Sequence, residues 1–116
     1  MVEHSKGKAM TNVVFLQQIS RLYDEFKQHD SCQIDRLRRY RNIEAEGAKF
    51  LAMLLRTQQS KRILEIGTST GYSTLWLADA AKVVDGKVIT LEINAFRSAQ
   101  AKKYAKEFEL QDFIEF

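Results

Sequence analysis

Apolar residues recur at helical spacing in the first half of the chain and in short strand-like runs in the second half. Within residues 12–28, Leu16, Ile19, Tyr23 and Phe26 line one face of a helix and Leu22 widens it. Residues 29–42 are polar and basic, with Ile34 and Leu37 as isolated anchors, and predict a short helix or a loop. Helical periodicity returns over 43–57, where Phe50, Leu51, Leu54 and Leu55 are expected to face inward, and a polar connector follows over 58–61. The pattern then changes. Residues 62–66 form a short apolar run, a buried strand. Residues 73–82 are helical, with Leu75, Trp76, Leu77 and Ala78 as the packing set. Asp85-Gly86 is a turn signal, and 87–93 is a second strand rich in β-branched residues. Asn94 is placed to cap a helix over 95–109, on which Ala101, Ala105 and Phe108 share a face beside Tyr104. Residues 112–116 start a third strand.

Helices followed by β-α-β-α-β predict an α/β fold with a parallel sheet and right-handed crossovers. The expected division is an N-terminal helical segment, 1–61, and a β-α-β-α-β unit, 62–116. No repeat, low-complexity stretch or linker separates them.

Composition narrows the class. A chain of 116 residues with 45% hydrophobic and 28% charged residues is expected to be a single soluble domain. It has no apolar stretch of membrane-spanning length, and its polar start, residues 1–8, is no secretory signal. Cys32 is the only cysteine, which fits a reducing, cytoplasmic setting. No cluster has metal-ligand spacing. The net charge of +3 is mild, and the one dense basic patch, Arg36, Arg38, Arg39 and Arg41, lacks the aromatic or glycine pattern of a nucleic-acid module. It is read as a solvated helix face or a subunit contact.

The chemistry concentrates in residues 62–73, Arg-Ile-Leu-Glu-Ile-Gly-Thr-Ser-Thr-Gly-Tyr-Ser. This is a strand, a loop bounded by Gly67 and Gly71, and a helix start, the ligand-binding turn of open α/β sheets. Phosphate motifs fail here. G-x-G-x-x-G requires glycine at positions that hold Ser69 and Tyr72. The P-loop requires a longer glycine spacing followed by lysine, where this chain has Tyr72. Glu65 would also oppose a phosphate at the helix N-terminus and would favour a ligand with an amine or sulfonium cation. S-adenosylmethionine carries both and no phosphate. Glu92, at the end of the second strand and roughly 20 residues past the glycine loop, has the position of an acid that accepts hydrogen bonds from ribose hydroxyls. Its two carboxylate oxygens can serve both.

The run Glu65-Ile-Gly-Thr-Ser-Thr-Gly71-Tyr-Ser-Thr-Leu-Trp-Leu-Ala78 resembles the first motif of class I S-adenosylmethionine-dependent O-methyltransferases, and within them the bacterial catechol and caffeoyl-CoA O-methyltransferase group. Residues 42–51 look like the helix start that this group places before its first strand, and the resemblance spans about 36–116. It implies a Rossmann-like methyltransferase fold, truncated after the third parallel strand and preceded by N-terminal helices. It implies cofactor contacts from Glu65 at the methionine end, from Gly67, Thr68, Ser69 and Gly71 as the cradle, from Tyr72 and Ser73 at the helix start, and from Glu92 at the ribose. Ser69 stands where the broader class favours glycine.

The resemblance implies methyl transfer to a hydroxyl oxygen of a small-molecule acceptor, with this chain carrying the cofactor half. The alternative is a non-catalytic cofactor-binding or oligomerisation module. In the family, an adenine-contacting segment, the acids that bind a divalent metal in metal-dependent members, and a catalytic base or lysine come later. Nothing before Phe116 resembles them. In the doubly wound order the first strand lies between the second and a fourth. A bare edge on strand 62–66 is therefore expected, and with it a homo-oligomer, a partly unfolded chain, or a piece of a longer gene product. Neither nucleic acid nor membrane is an expected partner.

Overall fold

The computed structural model describes residues 13–33 and 43–116. The basic cluster Arg36, Arg38, Arg39 and Arg41, and the anchors Ile34 and Leu37, lie outside them. Among the described residues, two helices, α1 (Val13–Ser31) and α2 (Ala45–Gln58), precede β1 (Arg62–Ile66), α3 (Tyr72–Lys82), β2 (Lys87–Leu91) and α4 (Ala95–Glu107). A 3-10 turn, Gln111–Phe113, leads into the short β3 (Ile114–Glu115). Local chemistry sets several of these boundaries. The Asn94 side chain accepts a hydrogen bond from the Arg97 N–H at 3.1 Å and starts α4. Gln59, with φ 54°, takes the left-handed conformation that ends α2 and returns its N–H to the last turn.

The sheet is parallel with order β1-β2-β3. Its register pairs Ile63 with Val88 and Val88 with Ile114, and these three residues form the covered face. Helix α3 packs there with Leu75, Trp76, Leu77 and Ala78 all buried, as its pattern predicts. Helix α1 lies across α3 and α4. Phe15 meets the rings of Trp76 at 5.3 Å and Phe108 at 5.9 Å edge-on, and Phe26 meets Tyr104 at 5.5 Å. Such pairs add about 0.5–1.5 kcal/mol each beyond their burial. The buried set of α1 is Phe15, Ile19, Leu22 and Phe26, so the helix is turned slightly from the expected face. Leu16 is exposed.

The expectation for α2 is corrected. Phe50, Leu51 and Leu54 are exposed and Leu55 is half-buried, while Ala48 and Ala52 are buried. The two alanines, one turn apart, let α2 approach α3 closely, and the larger side chains turn away from that contact. A hydrogen-bonded ion pair, Arg56 Nη2 to Asp79 Oδ2 at 2.6 Å, ties the two helices.

The second face of the sheet is open. Leu64 pairs with Ile89 and Ile66 with Leu91, and all four are exposed, Ile66 at 79%. Parallel sheets normally have both faces covered. Among the described residues no strand pairs with the outer edge of β1.

Candidate cofactor site

The loop between β1 and α3 leaves the C-terminal end of the sheet through two left-handed glycines. Gly67 has φ 90° and Gly71 φ 95°, and between them Ser69 is also left-handed at 52°. The two glycines answer to different constraints. A Cβ on Gly71 would stand 2.9 Å from the Ala101 Cβ, so this position is small because α4 passes beside it. A Cβ on Gly67 would meet nothing within 4 Å, so the space beside it is open for a ligand to approach the backbone. The Leu91 carbonyl anchors the loop to β2, accepting the Gly67 N–H at 2.8 Å and the Thr68 N–H at 3.1 Å.

Glu65 lies opposite Thr90 in the register, half-buried on the covered side of the sheet. Its carboxylate accepts three hydroxyl hydrogen bonds: Ser73 Oγ to Oε2 at 2.5 Å, Thr90 Oγ1 to Oε1 at 2.8 Å, and Thr74 Oγ1 to Oε1. Thr90 Oγ1 is also 2.5 Å from Thr68 Oγ1, and both threonines are buried. Glu92 is the first residue past β2. Its Oε1 accepts the Ser69 N–H at 2.6 Å and its Oε2 the Asn94 N–H at 3.0 Å. One carboxylate therefore holds the loop to the start of α4. Neither Glu65 nor Glu92 is in an ion pair among the described residues.

The structure thus brings Glu65, Gly67, Thr68, Ser69, Gly71, Ser73 and Glu92 to one end of the sheet. Tyr72 starts α3 as expected, but its ring is buried 5.3 Å from that of Tyr23, on the α1 side. Burial there pushes its phenol pKa up, so what Tyr72 lends the loop is backbone. A cleft of about 520 Å³ opens beside Glu65, Gly67, Ser69 and Ser73 and continues between Leu54 and Leu64, a size in the usual range of small-molecule sites. Thr74 and Thr90 join the Glu65 cluster, and the sequence reading passes over both. The available signal for Thr90 is a hydroxyl at the inward position of a strand that otherwise alternates with Val88. Among the described residues, no group of three or more His, Cys, Asp or Glu side chains converges as a metal site, and no helix is long and apolar enough to cross a membrane.

A family model described as O-methyltransferase matches residues 20–116. The chain belongs to the O-methyltransferase family. It is 42% identical over 62 residues to a catechol O-methyltransferase of Niastella koreensis, covering 53% of this chain and 28% of that one. To a catechol O-methyltransferase of Mycobacterium tuberculosis it is 37% identical over 73 residues, covering 63% and 33%. Among solved structures, the O-methyltransferase TomG of Streptomyces achromogenes, involved in tomaymycin synthesis and in complex with S-adenosylmethionine, superimposes with TM-score 0.65 at 29% identity. That match covers 98% of this chain and 46% of TomG. The Bacillus cereus O-methyltransferase in complex with S-adenosylhomocysteine gives TM-score 0.64 at 25% identity, with coverage of 97% and 46%. This O-methyltransferase chain therefore spans about a third of the curated relatives and about half of the solved structures. Its helices and three-stranded parallel sheet match the Rossmann-like fold of those structures.

Proposed function

We propose that this chain binds S-adenosylmethionine on the Gly67–Gly71 loop and forms the cofactor-holding part of an enzyme that methylates a hydroxyl oxygen of a small molecule. The observation that carries this reading is electrostatic. Two carboxylates without ion-pair partners among the described residues, Glu65 and Glu92, flank a loop that contains no cation, at the ligand end of a parallel sheet. That arrangement repels phosphate and suits an ammonium, a sulfonium and hydroxyl donors. The names of the family relatives, two of them held with S-adenosylmethionine or S-adenosylhomocysteine, point the same way.

In this reading the open side of Gly67 lets the cofactor meet the backbone, with Thr68, Ser69 and Gly71 shaping the cradle. Ser73 and Glu65 face the methionine end. Each oxygen of Glu92 has a lone pair beyond its N–H partner, enough to accept a hydroxyl of the ribose. When bound, the cofactor supplies an electrophilic methyl group on sulfur. The chain's contribution is positioning. The helical segment before residue 62 buttresses the unit that follows it. We place the protein in the cytoplasm, as a homo-oligomer acting on a small-molecule acceptor.

The test is calorimetry with S-adenosylhomocysteine. The wild-type chain binds it, and Glu92→Ala weakens binding by roughly 1–3 kcal/mol, the scale of a lost charged hydrogen bond. No binding by the wild type, or equal affinity in the variant, sinks the assignment. The second reading is a module that binds the cofactor without turnover. Binding without methylation of a catechol by the purified chain would select it.

A further inference from the structure

We infer that Thr90 is a positioning residue of this site, setting the Glu65 carboxylate and the loop residue Thr68 through a single hydroxyl. The inference rests on the proposed reading of the loop as the S-adenosylmethionine site. Alternation along β2 puts Val88 and Thr90 on the covered face. A β-branched hydrocarbon would satisfy that position, yet the chain has a hydroxyl there that is 1% exposed. A buried hydroxyl is costly unless it is hydrogen-bonded.

Both of its contacts are within hydrogen-bond distance: 2.8 Å to Glu65 Oε1 and 2.5 Å to Thr68 Oγ1. Thr90 has one proton. If it goes to Glu65, the Thr68 hydroxyl must donate to the Thr90 oxygen, and the chain of donors runs from loop to strand to carboxylate. Thr90 and Thr74 then fill both lone pairs of Oε1, while Ser73 takes one on Oε2. A single acceptor position on Oε2 remains for a ligand cation, and its direction is fixed. Without Thr90 the carboxylate loses its tie to β2, and Thr68 loses its tie to the carboxylate.

The test measures S-adenosylhomocysteine binding by calorimetry on the full chain, with a thermal melt of each variant. Thr90→Val keeps the shape and removes the hydroxyl, and is expected to weaken binding about tenfold. Thr90→Ser restores affinity to within about twofold. In a Glu65→Gln background, Thr90→Val adds a smaller loss than in the wild type, because part of its effect passes through that carboxylate. Full affinity in T90V overturns the inference, as does a loss that multiplies unchanged in the E65Q background. Should T90V fail to fold, Thr90→Cys, with its weak donor, is read against the same outcomes. A wild-type chain that binds no S-adenosylhomocysteine removes the site assignment and this inference together. A wild type that binds, with T90V unaffected, removes this inference alone.

Discussion

At the scale of single residues, the two loop glycines separate the needs of the fold from those of the ligand. Gly71→Ala would combine a left-handed backbone with a contact to Ala101 inside normal approach. It is expected to cost roughly 3 kcal/mol in urea unfolding. Gly67→Ala meets no neighbour, so only the backbone conformation is penalised, at about 1 kcal/mol, while the new methyl group fills the space a cofactor would use. Calorimetry should then find binding lost in a Gly67→Ala protein that still melts cooperatively. The opposite ranking of the two stabilities would refute this division. The sequence marks both glycines and both acids, because strand-end acids and loop glycines leave a readable spacing. It does not reveal that Glu65 turns inward among Ser73, Thr74 and Thr90. That network exists only once the register places Glu65 beside Thr90, and no local pattern encodes register between strands separated by a helix.

At the scale of elements, the packing of α2 on α3 depends on Ala48 and Ala52 for approach and on Arg56–Asp79 for a polar tie. Burial raises the Asp79 pKa above its ordinary value, and the neighbouring Arg56 only partly offsets this. The folded state therefore binds the Asp79 proton more tightly than the unfolded chain. Between the ordinary carboxylate range and the raised value, this group's contribution to stability is present at the acid end and is lost as pH rises. Asp79→Asn should remove that slope, visible as a difference between the two proteins in unfolding free energy measured across the mildly acidic range. Parallel curves would exclude it. Arg56→Met leaves a buried carboxylate unpaired and should cost about 2 kcal/mol at neutral pH, between the surface and fully buried cases. Helix and strand types were legible because the apolar period changes from helical to strand-like at Arg62. The inward face of α2 was not. Its large apolar residues mark a face that needs covering, but periodicity cannot say by what. Here the small residues, Ala48 and Ala52, take the helix contact.

At the scale of the whole molecule, the exposed face of the sheet and the edge of β1, unpaired among the described residues, dominate. Leu64, Ile66, Ile89 and Leu91 form one exposed apolar surface, and Leu51 and Leu54 continue it across the cleft. Contiguous apolar patches beyond a few hundred Å² are rare on monomeric proteins, and an unpaired parallel strand at an edge offers its backbone to another chain. The chain by itself is therefore expected to self-associate through this surface. Sedimentation velocity should give a species larger than the 13.4 kDa monomer, with marked binding of a hydrophobic dye. Leu64 is 64% exposed, so Leu64→Lys removes little that the monomer buries and should change its unfolding free energy by less than about 1 kcal/mol. The same change puts a charge in the middle of the patch and should shift the sedimentation distribution towards monomer while lowering dye binding. A wild type that stays monomeric at every concentration tested would show that the face does not carry association. A Leu64→Lys protein that unfolds would show instead that the strand depends on Leu64 for more than its exposed surface suggests.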